Sequence, residues 1–228
     1  MSAFPVGRRD TCAVPELSTD WVALSPRFTP GWPWPEDSYG LGPMYGDQGW
    51  CRGCGTPLSE QTGALVVQGS KFPTAEVWMP NWRYDVVCVS GRVAVDITER
   101  FNVDLGEVLK PRGGPTGVKQ VLPAQTVAPW HRHEELALVT RARHGGHEGE
   151  RTGLSCGQCG RWKWLPVGDD EVPIAASALV STSDALASPE VFGDGLNSFR
   201  HLLFRRPLGE TLLAASPRNW NLIEVEIN

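Results

Sequence analysis

Apolar residues along this chain come in short runs broken by Gly, Pro and Ser, and the runs change period. "GALVVQ" (63–68) and "RYDVVCVS" (83–90) read as strands, and Ser90 then offers an N-cap. Val93, Ile97 and Phe101 fall on one helical stripe, although Val93, Val95 and Ile97 also alternate as a strand would. "VDLGEVL" (103–109) returns to extended chain. Between 111 and 150, "PRGGPTG" is a turn cluster and "QVLPAQTVAPW" is extended. "EELALVTRAR" (134–143) then alternates at Leu136 and Leu138 before Val139, and "HGGHEGE" (144–150) reads as a loop. Further on, "VPIAASALV" (172–180) is extended or mixed and "FRHLLFRR" (199–206) is a strand. Pro207 suits a first helical turn, Leu208, Leu212 and Ala215 share a face, Ser216 and Pro217 stop the helix, and "NLIEVEI" (221–227) alternates as a closing strand.

These patterns predict an α+β fold: a mixed, β-rich domain with a few short helices over 45–228. Before it, 1–44 reads as an irregular Trp/Pro-rich segment, of which 26–43 lies across the surface of the core. The order strand, helix, strand recurs in 84–109 and 199–227. It suggests an internal duplication with half-repeats 45–110 and 150–228, in which the two segments occupy equivalent positions.

Composition narrows the class. The chain has 228 residues, 41% of them hydrophobic, enough for one sizeable core or two small ones. A formal net charge of −5 is a poor match for a phosphate backbone and a better one for a basic protein partner. "MSAFPVGRRDTC" has no apolar signal core, and no run of some eighteen apolar residues occurs, so a cytoplasmic protein that neither spans nor binds a membrane is expected.

The chemistry lies in the cysteines. "WCRGCG" (50–55) and "SCGQCG" (155–160) each hold Cys-x-x-Cys-Gly. Cys51, Cys54, Cys156 and Cys159 form a ligand set for one structural Zn²⁺, because two intervening residues turn both sulfurs toward one ion and the glycine allows the turn to close. The gap between the pairs is far longer than in a common zinc ribbon, so the fold must bring them together. Redox dithiols and disulfides are the alternatives. The first wants a helix after each motif, where "RWKWLP" and "GTPLSE" are poor starters, and a reducing cytosol disfavours the second. Cys12 and Cys88 lack partners at ligand spacing, and Cys88 reads as a small buried hydrophobe.

Other constellations are weaker. His131 and His133 in "WHRHEE", with His144 and His147, hint at a metal enzyme, but read more simply as exposed histidines beside a loop. Arg52, Arg161 and Lys163 with Trp162 and Trp164 give the alternative of a zinc-ribbon-like nucleic-acid-binding or regulatory module, against the overall charge. The acidic cluster Asp169, Asp170 and Glu171 is a candidate partner contact.

The two motifs, with the tail "VFGDGLNSFRHLLFRRPLGETLLAASPRNWNLIEVEI", resemble the double-CXXCG motif proteins of myxobacteria, over roughly residues 45–228. The resemblance implies an immunity protein, not an enzyme. Such proteins are similar to the cognate antidotes of swarm-inhibition lipoprotein toxins exchanged between kin cells. The partner it implies is the toxin's C-terminal domain, often a nuclease, bound and neutralised in the cytoplasm, with no nucleic acid bound by the antidote itself.

Overall fold

The computed structural model describes residues 17–27, 31–69, 72–145, 151–168 and 172–228. In chain order the strands are β1 (Leu17–Pro26), β2 (Leu65–Val66), β3 (Val77–Trp78), β4 (Cys88–Ser90), β5 (Asp104–Leu109), β6 (Pro115–Leu122) and β7 (Ala124–Gln125). They continue as β8 (Gly153–Ser155), β9 (Trp162–Trp164), β10 (Ala185–Ala187), β11 (Phe192–Asp194), β12 (Asn197–Phe199), β13 (Leu202–Arg205) and β14 (Trp220–Glu226). The helices are α1 (Leu41–Tyr45), α2 (Gly91–Arg100), α3 (His133–His144) and α4 (Arg206–Ala215). This is the mixed, β-rich α+β fold with short helices that the sequence patterns predict.

The described strands form three sheets, ordered β14-β1-β13-β10-β7, β2-β5-β6-β4-β3 and β12-β11-β9-β8. The first two share the main core. Val22, Val89, Ile97, Phe204, Leu208, Leu212 and Trp220 pack in one buried cluster, and α2 touches α4. Ser90 caps α2 by accepting from the Val93 N–H at 3.4 Å, and Val93 and Ile97 face inward. The third sheet has its own smaller cluster, in which Trp164 and Phe192 meet Leu136 and Ala137 of α3.

The units β4-α2-β5 and β13-α4-β14 repeat one topology. In each, the two strands pair antiparallel with one strand between them and so run parallel to each other. The strand between is β6 in the first unit and β1 in the second. Both helices are ten residues long.

Several expectations need correction. The segment 1–44 is not irregular throughout, because β1 occupies a central place in the first sheet. Trp21 and Val22, adjacent and pointing to opposite faces, are both buried, so no polar/apolar alternation marks the strand. The strand expected over 83–90 shortens to Cys88–Ser90, because Arg83 turns fully inward to Asp85 at 2.9 Å and the chain makes two successive turns, Arg83 N–H to Pro80 O and Val86 N–H to Arg83 O. The strand over 199–206 breaks at Arg200, whose Nη1 donates to Ser188 O and Pro189 O, and the chain passes there from the third sheet to the first. The alternation at 136–139 belongs to a helix. Leu136, Ala137 and Thr140 are buried while Leu138 is 67% exposed. Glu134 and Glu135 in the first turn, and Arg141 and Arg143 in the last, match that helix's dipole.

Candidate metal centre

The first cysteine pair sits in a loop closed by a bridge between Trp50 and Pro57, and the second at the tip of the β8–β9 hairpin. The two turns are alike. Cys51 N–H donates to Thr56 O (2.9 Å) and Gly55 N–H to Cys51 O (2.8 Å); Cys156 N–H donates to Arg161 O (3.0 Å) and Gly160 N–H to Cys156 O (2.8 Å). Gly55 and Gly160 close them at φ 74° and 72°, a left-handed backbone that costs glycine little.

The fold sets these turns face to face. Cys51 Sγ lies 3.7 Å from Cys156 Sγ, Cys54 Sγ lies 3.7 Å from Cys159 Sγ, and all four sulfurs lie within 4.8 Å of one another. The four cysteines are free, and a disulfide needs sulfurs about 2.05 Å apart. A tetrahedron with metal–thiolate bonds of about 2.3 Å has edges of about 3.8 Å, so this group could hold a metal ion. Among the described residues it is the one such group of His, Cys, Asp and Glu.

The two thiols of the second pair differ in acidity. Backbone N–H groups of Cys159 and Gln158 pull the Cys156 thiol down to about 6, while desolvation pushes Cys159 up to about 12. One thiol of the pair gives up its proton readily and its neighbour keeps one until an ion displaces it. Lys163, buried beside them, donates from Nζ to Cys54 O (3.0 Å) and Gly195 O (2.6 Å). Burial lowers its pKa, and the nearby charges, including Cys54, Cys156 and Cys51, oppose that shift. Arg161 ties the hairpin to the first loop through Pro57 O at 2.9 Å, and Ser198 Oγ donates to Cys54 O at 2.7 Å.

The other candidates divide. Cys88 is fully buried, as expected, and desolvation raises its thiol pKa well above the ordinary value. His131 is not the exposed histidine expected. It is buried, with Nδ1 3.1 Å from Pro173 O, and sits 5.8 Å from the His201 ring. His133 is exposed and meets Trp164 edge-on at 4.8 Å, while His144 Nε2 lies 2.8 Å from Pro166 O, so these three histidines do not converge on a metal. Cys12, His147 and the cluster Asp169, Asp170 and Glu171 lie outside the described residues. Of the basic groups read in the sequence for nucleic acid, Lys163 is buried, while Arg161 is exposed and reaches across to Pro57 O. Alternation in "WKW" puts Lys163 on the face opposite Trp162 and Trp164, and Trp164 is buried as well, so the pattern alone did not mark Lys163 as buried.

Compared with protein-family models and with curated proteins, the chain finds no match. No helix of the described residues is long and apolar enough to cross a membrane.

Proposed function

We propose that this chain is an immunity protein, which binds and neutralises a cognate contact-dependent toxin domain in the cytoplasm, and that its cysteine cluster holds one structural Zn²⁺. The observation that carries the reading is the meeting of two Cys-x-x-Cys-Gly turns, far apart in sequence and alike in hydrogen bonding, in one four-sulfur group. That pairing is the feature on which the resemblance to double-CXXCG proteins rests. Four thiolates suit zinc, and they fill a tetrahedral ion's positions, leaving none for water or substrate. The ion's part is then to hold structure, and in this reading the protein's part is binding. A net charge of −5 favours the approach of a basic toxin such as a nuclease. The nucleic-acid alternative loses Lys163, which is buried and bonded to main-chain carbonyls; the exposed Arg161 and Arg52 are engaged with Pro57 O and, at 4.0 Å, with the Trp50 ring.

The test is co-expression with the toxin domain encoded beside this chain. Growth restored by the wild type, with a direct complex between the purified proteins, is the expected result. A chain that neither protects nor binds overturns the reading. Elemental analysis is expected to give about one zinc per chain; metal-free protein with disulfides within both pairs would overturn the zinc assignment alone.

A further inference from the structure

Non-glycine residues with a left-handed backbone gather in two segments of this chain. Of the five non-glycine residues with clearly positive φ among those described, four are Asp37, Ser38, Tyr39 and Trp82. Asp37 to Gly40 forms a turn, with Gly40 N–H donating to Asp37 O at 2.8 Å and both central residues, Ser38 and Tyr39, left-handed. Such turns favour Asn, Asp and Gly there. Trp82 occupies the third place of the turn closed by Arg83 N–H and Pro80 O, at φ 64°, where glycine is the usual residue. A bulky aromatic in that conformation persists only because its surroundings hold it, and such strain gathers at functional surfaces.

The two segments are joined. Asn81 donates from its main chain to Pro33 O (3.0 Å) and from its side chain to Trp32 O (2.5 Å). Next to these bonds stand Trp34, 48% exposed, and Trp82, 51% exposed; beyond them Tyr84 is 44% exposed. None is on a free strand of chain. Gln68 N–H donates to Trp34 O, Arg83 is buried against Asp85 and donates to Ser198 O, and the Tyr84 ring meets Phe199 edge-on at 5.1 Å. Large aromatic rings held rigid in water are the residues that dominate protein interfaces.

The charge beside them selects the partner. Glu36 and Asp37 follow Trp34 after Pro35, and neither forms an ion pair among the described residues. Elsewhere the molecule covers aromatic rings with its own cations, Arg52 over Trp50 at 4.0 Å and Arg205 over Trp21 at 4.1 Å. Trp34, Trp82 and Tyr84 have no such cover among the described residues. We infer that Trp34, Trp82 and Tyr84, rimmed by Glu36 and Asp37, form the face that docks the toxin domain, and that the toxin presents arginine or lysine side chains to it. Cations over the rings and beside the carboxylates satisfy both features at once. This inference rests on the immunity reading and adds to it the surface and the chemistry of the contact.

The experiment titrates the full-length protein and its variants with the toxin domain encoded beside this chain, and follows thermal unfolding in parallel. Trp82→Gly is expected to weaken binding at least about tenfold while its unfolding midpoint equals or exceeds the wild type's, because glycine suits the left-handed position. Replacing a residue of purely structural value would not weaken binding while the unfolding midpoint is kept or raised. Glu36→Gln combined with Asp37→Asn is expected to slow association and flatten its salt dependence. Wild-type binding that Trp34→Ala, Trp82→Gly and Tyr84→Ala all leave unchanged overturns this face and leaves the immunity reading standing. A wild type that binds no toxin domain overturns the immunity reading, and the face assignment falls with it. Sedimentation showing a dimer that Trp82→Gly dissociates, or a dT oligonucleotide bound by the wild type and released by the same change, overturns the assignment in favour of self-association or nucleic acid.

Discussion

Lys163 is a side chain whose charge bears directly on the cysteine cluster. Four thiolates around a divalent ion leave two negative charges to be offset, and a buried ammonium nearby does so without water. Lys163→Met is expected to lower metal affinity about tenfold to a hundredfold in chelator competition. Unchanged affinity would reduce Lys163 to its two carbonyl bonds. His201 poses a different single-residue question. Its ring stacks on Phe192 at 3.9 Å, and desolvation first, then the charge of His131, lowers its pKa to about 3. The folded value lies below the ordinary value near 6.5, so the unfolded chain takes up the proton first. Stability from this site is therefore complete above about pH 6.5 and is lost as pH falls toward 3. The slope is at most about 1.4 kcal/mol per pH unit. His201→Phe, which keeps the stack, is expected to flatten the acid limb of a stability–pH curve measured by denaturant unfolding. Parallel limbs for the two proteins would place the acid sensitivity elsewhere.

At the scale of elements, α2 shows what the pattern of residues could and could not decide. Val93, Val95 and Ile97 fit a strand, while Val93, Ile97 and Phe101 fit a helix; in the fold Val93 and Ile97 are buried and Val95 is 58% exposed. Ile97→Ala is expected to cost about 2–5 kcal/mol and Val95→Ala no more than about 0.5 kcal/mol in equilibrium unfolding. Comparable costs would mean that the helix presents another face. The cysteine turns were legible because their chemistry is local, two cysteines and a glycine at fixed spacing. So was α4, whose proline start and Leu208–Leu212 stripe are also local. β1 was not, because a strand buried on both faces carries no alternation and its partners β13 and β14 lie at the other end of the chain. α3 was missed for another reason. Its inward face mixes Leu136 and Ala137 with the buried Thr140, whose hydroxyl is satisfied by Leu136 O at 2.7 Å, so hydrophobic period alone understates it. The charge order from Glu134 and Glu135 to Arg141 and Arg143 held the missing information.

For the whole molecule, the division of the core decides what an ion held by the four cysteines would support. The main cluster draws on the first two sheets, α2 and α4, and includes no residue between 122 and 185. The third sheet, which carries the second cysteine pair, buries a much smaller cluster with α3. What joins its hairpin to the loop at 50–57 is the four-sulfur group, the Arg161 bond to Pro57 O and the Lys163 and Ser198 bonds to Cys54 O. An ion at that junction would close a loop containing β2 to β8, α2 and α3, and the free energy of binding it would be folding free energy for the parts it joins. Its loss should therefore strike the third sheet first. After chelation, amide protection is expected to fall over 153–164 and 192–199, while β4, β6 and β13 keep theirs, because local opening follows local burial. Cys156→Ser is expected to reproduce this pattern, with a lower unfolding midpoint and a tendency to aggregate as Trp164 and Phe192 become accessible. Hydrogen exchange resolved by segment distinguishes the outcomes. Uniform loss of protection across all three sheets would make the ion a support of the entire core, and full protection after complete metal removal would leave the Arg161, Lys163 and Ser198 bonds as the junction's sole support.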